Sequence, residues 1–245
     1  MERLRVDWRV ATVAAVVDET PHARTLVLEV NGWPGHVAGQ HADVRLTAED
    51  GYQAQRSYSI ASAPEDATVA LTIERLDDGE VSPYLAGEVR AADQFELRGP
   101  IGGHFTWRAE QGGPLFLIAG GSGLVPLMAM LRHRAARNST APAVLLVSSR
   151  TTQDILYRSE LERLAQDDGL AVHHTLTRGA PVDWEGFDRR VDADMLTAVG
   201  PAPADAPHVF ICGPTPFVEA VADLLVGLRY EPAAIHAERF GPTGG

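Results

Sequence analysis

The pattern of the chain changes near residue 112, and this change limits the folds open to it. Before that point short β-branched-rich or alternating runs follow one another at 9–19, 23–30, 41–48, 55–60, 68–76 and 94–99, with turn residues between them. Six such runs predict a closed antiparallel barrel, because closure removes exposed strand edges. A short helical turn at 82–87, SPYLAG, is predicted to cover one end. After residue 112 the continuous apolar run 114–120 reads as a strand buried on both faces. Helical and strand patterns then alternate: helix 124–136, strand 143–149, helix 156–166, strand 170–177, helix 192–199, strand 208–212 and helix 215–229. Such alternation implies a parallel sheet with helices on both faces, an α/β architecture. The polar stretch 106–113, ending in paired glycines, marks the boundary, so the expected domains are 1–108 and 112–245.

Bulk composition narrows the function classes. Hydrophobic residues make up 45% and charged residues 22%, which suits a globular protein. A net charge of −12 argues against nucleic-acid binding, which needs cations to neutralise phosphates. Cys212 is the only cysteine. That excludes an internal disulfide and a four-thiolate iron–sulfur cluster within these residues, and it points to a reducing, cytoplasmic setting. No signal peptide or membrane span is expected, because the longest apolar stretch is interrupted by Gly120, Gly121, Gly123 and Pro126.

Two strand–helix junctions carry the generic chemistry. GGSGLVP (120–126) allows a tight turn and close approach of a phosphate to the N–H groups of a helix start. Gly120, Gly121, Ser122, Gly123 and Pro126 are its candidate cofactor-binding residues. The run departs from the usual dinucleotide fingerprint, since Pro126 stands where a third glycine is expected. ICGPTPF (211–217) is the second junction, placing Cys212, Gly213 and Pro214 at the carboxyl edge of the sheet, where open α/β sheets bind ligands. His173 and His174 are adjacent on a strand, so they point to opposite faces, and no metal site is expected from them.

RSYSIAS (56–62), GEVSPYL (79–85), GPIGGHF (99–105), GGSGLVP, CGPTPF and the final ERFG (238–241) occur in one order along the chain. Together they resemble the ferredoxin–NADP⁺ reductase family of flavoproteins, and more narrowly the flavin and nicotinamide domains of bacterial oxygenase reductases. The resemblance implies that Arg56 pairs with the pyrophosphate of FAD and that Tyr58 packs on the isoalloxazine ring. It places Ser59 near flavin N5 and Ser57 among the cofactor-binding residues of the same strand. Gly79, Val81 and Ser82 would meet the pyrophosphate through backbone N–H groups and a hydroxyl. The nicotinamide cofactor would bind at the two glycine junctions, with Cys212 near its ring and Glu238 near the site of hydride transfer. Phe240 matches the family's aromatic residue near the chain end. Arg150 and Arg178 match positions that contact the 2′-phosphate, which favours NADPH over NADH. Strand alternation puts Arg56 and Tyr58 on one face and Ser57 and Ser59 on the other. One ring can therefore meet Tyr58 and Ser59 only edge-on, or if a twist or bulge turns one of them.

The implied function is an FAD-dependent NAD(P)H oxidoreductase that passes electrons to a separate one-electron acceptor, such as a ferredoxin serving an oxygenase or cytochrome P450. Two alternatives stand beside it. One is a flavin or ferric reductase with a small diffusible acceptor. The other is a flavin-binding relay subunit of a larger complex.

Overall fold

The computed structural model describes residues 6–166 and 169–241. The chain folds as two compact units, one formed by residues 1–108 and 128–136 and the other by 109–127 and 137–245.

The first unit is built on six antiparallel strands: β1 (Trp8–Thr20), β2 (Ala23–Val30), β3 (His41–Thr47), β4 (Gln53–Ser59), β5 (Val69–Glu74) and β6 (Gln94–Ile101). Their order across the sheet is β4-β3-β6-β1-β2-β5. An antiparallel bridge between Ile60 and Leu71 joins the two outer strands and closes the barrel. Register shifts in β1 between Val13 and Ala15 and between Asp18 and Thr20 bend a strand too long to stay straight around so small a core. That core contains Leu26, Leu28, Ile60, Leu71 and Leu97, all fully buried. Helix α1 (Ser82–Gly87) adds the buried Leu85 to the same cluster, with Val81 before it and Val89 after it.

The second unit carries a five-stranded parallel sheet of β7 (Leu115–Gly120), β8 (Ala143–Ser149), β9 (Leu170–Leu176), β10 (His208–Pro214) and β11 (Ile235–Phe240). The order is β11-β10-β7-β8-β9. Every residue of β7 is buried, as its unbroken apolar run requires of a central strand. Helices α2 (Leu124–Ala136), α3 (Arg158–Leu164), α4 (Ala193–Val199) and α5 (Thr215–Gly227) connect or flank the strands. The sequence pattern foretold each of these elements within a few residues except β11. Within α2, residues 128–136 group with the first unit: Arg132 donates to the carbonyl of Ala61 at 2.7 Å, and His133 Nδ1 lies 2.9 Å from Glu65.

Candidate functional site

The first unit sets its candidate residues on β4 and on the loop entering α1. The β3–β4 register runs without a shift from Thr47↔Gln53 to His41↔Ser59, so no bulge turns Ser59 towards Tyr58. Of the ways open to one ring to meet both, the bulge is removed. Tyr58 packs half-buried against the barrel core, and burial pushes its phenol up to about 12, slightly opposed by Arg56. Ser57 stands on the opposite face, where its Oγ donates to Asp43 at 2.5 Å. Asp43 also accepts from Arg98 at 2.6 Å, so the Ser57 hydroxyl belongs to a polar network of the outer sheet face.

Arg56 is exposed and donates from Nη2 to Oε2 of Glu80 at 3.1 Å, and from Nη1 to the carbonyl of Gln55 at 2.7 Å. The second carboxylate oxygen of Glu80 accepts from the hydroxyl of Tyr52 at 3.0 Å. Neither Glu80 nor Tyr52 stood out in the sequence, since an acid in GEVS and a tyrosine in a hairpin turn carry no signal of their own. Ser82 is buried, and its Oγ accepts from the N–H of Leu76 at 3.0 Å, while the Gly79 N–H closes a turn onto the Leu76 carbonyl at 2.9 Å. Both groups, which the resemblance gives to the cofactor pyrophosphate, also fasten the loop. Val81 is the N-cap of α1, is fully buried, and makes no side-chain cap hydrogen bond.

In the second unit β7 runs through Gly120 into a single 3-10 turn (Gly121–Gly123) and then α2. Gly123 has no room for a side chain: an added Cβ would lie 2.0 Å from the Cys212 carbonyl oxygen and 2.7 Å from the Gly213 nitrogen. The ring of Phe217 covers Gly120 and Gly213, at 2.8 Å from an added Cβ on either. Phe217 lies within CGPTPF, but its spacing gave no hint that it roofs both junctions. Gly121, by contrast, has a φ of +55° and open space around it. Ser122 is half-buried and Pro126 buried. Neither Gly120 nor Pro214, the caps of the two junctions, makes a side-chain cap hydrogen bond. Two backbone helix starts thus stand at the carboxyl ends of neighbouring strands, a donor set suited to a dinucleotide diphosphate.

Cys212 and Glu238 are register partners on β10 and β11, and Phe240 pairs with Pro214 two residues further on. Cys212 is 1% exposed. Burial, with nearby Glu238 adding to it, pushes the thiol well above its ordinary value, so it remains an uncharged S–H. Burial also raises the Glu238 carboxyl to about 7. At the ends of β8 and β9 the Arg178 N–H donates to the Arg150 carbonyl at 2.8 Å, and both side chains are exposed. Asp154, the nearest following acid, caps the N–H and hydroxyl of Thr151. His174 lies edge-on to Trp184. His173 and His174 both stay below their ordinary value because of burial.

Comparison with known proteins fits this geometry. Residues 14–107 match the oxidoreductase FAD-binding domain family and residues 117–223 the oxidoreductase NAD-binding domain family. The ferredoxin–NADP reductase B of Sorangium cellulosum is 34% identical over 241 residues, covering 94% of this chain and 96% of that protein. The chain belongs to the ferredoxin reductase family. The glycine betaine monooxygenase reductase subunit of Pseudomonas aeruginosa is also 34% identical, over 84% of this chain. The chain spans only 56% of that longer relative. An Amycolatopsis cytochrome P450 reductase superposes with a TM-score of 0.84 at 26% identity, over 98% of this chain and 71% of that one. Membership in the ferredoxin reductase family accounts for a barrel matching an FAD-binding domain followed by a parallel sheet matching an NAD-binding domain.

Proposed function

We propose that this chain is an FAD-dependent NADPH oxidoreductase that hands electrons singly to a separate acceptor protein, a ferredoxin serving an oxygenase or cytochrome P450. The observation that carries it is the carboxyl edge of the parallel sheet, where Cys212 and Glu238 stand side by side next to a junction that only glycine can fill. Bound there, a nicotinamide would supply a hydride and FAD would supply the means of passing its electrons on singly.

The chain's own residues supply binding, orientation and control of charge. Arg56 offers a guanidinium fork to the diphosphate of FAD. Tyr58 offers an apolar ring face on the same side of β4, and Ser59 brings a hydroxyl to the strand's end. On the nicotinamide side, Gly121, with open space around it, and the half-buried Ser122 meet the diphosphate, while Gly120, Gly123 and Gly213, packed against Phe217 and the Cys212–Gly213 backbone, shape the turns that present them. The neutral Cys212 thiol, almost wholly buried, adds no charge at this edge of the sheet. Glu238 is raised to about 7, so near neutral pH it is about half protonated and carries less negative charge beside the ring than an ordinary carboxylate.

Arg150 and Arg178 leave adjacent strand ends whose backbones are tied together, and Asp154, the first acid after Arg150 in sequence, is engaged with Thr151. Two exposed guanidinium groups on one edge favour a cofactor with a 2′-phosphate. Among the described residues no helix is long and apolar enough to cross a membrane. A single buried cysteine suits the reducing cytoplasm. Steady-state kinetics with each cofactor test the nicotinamide assignment: kcat/KM for NADPH exceeds that for NADH, whereas an NADH preference above about tenfold contradicts it.

A further inference from the structure

The Arg56 guanidinium already holds an anion of the chain's own. Glu80 takes it through one carboxylate oxygen, at 3.1 Å, and takes the Tyr52 hydroxyl through the other, at 3.0 Å. To a guanidinium, a carboxylate offers much what a phosphate does: two oxygens and a negative charge. Glu80 is also the one charged residue between Gly79 and Ser82. A diphosphate arriving at Arg56 therefore meets a like charge that shares the same cation.

We propose that Glu80 is a built-in competitor for the diphosphate of FAD, holding Arg56 in the unliganded chain and releasing it when the cofactor binds, so that it sets how tightly FAD is kept. The inference rests on the assignment of the FAD diphosphate to Arg56 made above.

Three features of the structure support it. The loop entering α1 does not depend on Glu80 for its shape, because the Gly79–Leu76 turn and the Ser82–Leu76 hydrogen bond fasten it independently. The Arg56 guanidinium is held a second time, from Nη1 to the Gln55 carbonyl at 2.7 Å, by a contact that does not involve Glu80. Finally, both partners are about half exposed, at 53% and 54%, so the contact is weak enough to be exchanged. In the proposed exchange the Tyr52 hydroxyl, raised by its bond to Glu80, stays a donor to the carboxylate across neutral pH.

The test is a binding titration of the whole chain freed of flavin, with FAD and with riboflavin, which has no phosphate. Wild type, Glu80→Gln, Arg56→Ala and the double variant are compared, with thermal melts checking that each is folded. Arg56→Ala is expected to weaken FAD binding about tenfold. Glu80→Gln is expected to tighten FAD about fivefold, to leave riboflavin unchanged, and to have little effect once Arg56 is alanine. The tightening shrinks at high salt, where the charges are screened. If Arg56→Ala leaves FAD affinity unchanged, the assignment of Arg56 itself is overturned. If Arg56→Ala weakens FAD while Glu80→Gln fails to tighten it, or tightens it equally without Arg56, the competitor role is overturned and the Arg56 assignment stands.

Discussion

Glu238 is an acid placed where ionisation is resisted. Its folded-state value of about 7 lies above the ordinary 4.5 because burial disfavours the charged form. Between those two values the folded chain binds more protons than the unfolded chain. Its contribution to stability is therefore whole below about 4.5 and is lost as pH rises towards 7. Glu238→Gln keeps the shape and removes the titration. Thermal melts should then show the variant more stable than wild type at pH 8 and close to it at pH 4.5, with the wild-type curve falling more steeply in between. Equal slopes would show that Glu238 ionises freely in the fold. The sequence named Glu238 and Cys212 separately, as matches to a family pattern. It could not show them as cross-strand neighbours, because that pairing needs β11, whose residues carry a weak pattern.

At the scale of elements, β4 shows both the reach and the limit of sequence pattern. Period-two alternation foretold which of its side chains share a face, and the unbroken register with β3 agrees with it. What alternation could not supply is what waits opposite each face: Asp43 for Ser57, Glu80 for Arg56. Those partners come from 14 and 24 residues away and depend on how the barrel closes. The two faces should separate in mutation. Ser57→Ala should cost about 1 kcal/mol of stability through the lost bond to Asp43, as read by denaturant unfolding, while FAD affinity stays within about twofold. A large loss of FAD affinity in that variant would place Ser57 in the cofactor site instead. The strand β11 was illegible for a different reason. IHAERF alternates poorly and is half-buried at best, so its strand form comes from parallel pairing with β10 rather than from its own pattern. The edge of β9 was equally hidden: Phe187, from a loop with no period, exchanges backbone hydrogen bonds with His174 and Leu176.

At the scale of the whole molecule, the switch from alternating strands to buried strand–helix units told fold class, because each half obeys one periodicity throughout. It did not tell that residues 128–136 of α2 pack with the first unit, since the partners of Arg132 and His133, the Ala61 carbonyl and Glu65, lie 71 and 68 residues away and leave no mark in the local pattern. The chain's 245 residues include one cysteine, so they cannot hold a four-thiolate iron–sulfur cluster. If electrons leave one at a time, their acceptor must come from outside these residues. The most direct measurement is therefore acceptor competition with the FAD-loaded chain under anaerobic NADPH. The account predicts rapid reduction of a purified ferredoxin from an oxygenase or cytochrome P450 system, at a kcat/KM well above those for free FMN and a ferric chelate. Fast reduction of FMN or the chelate, with the ferredoxin left oxidised, would contradict it.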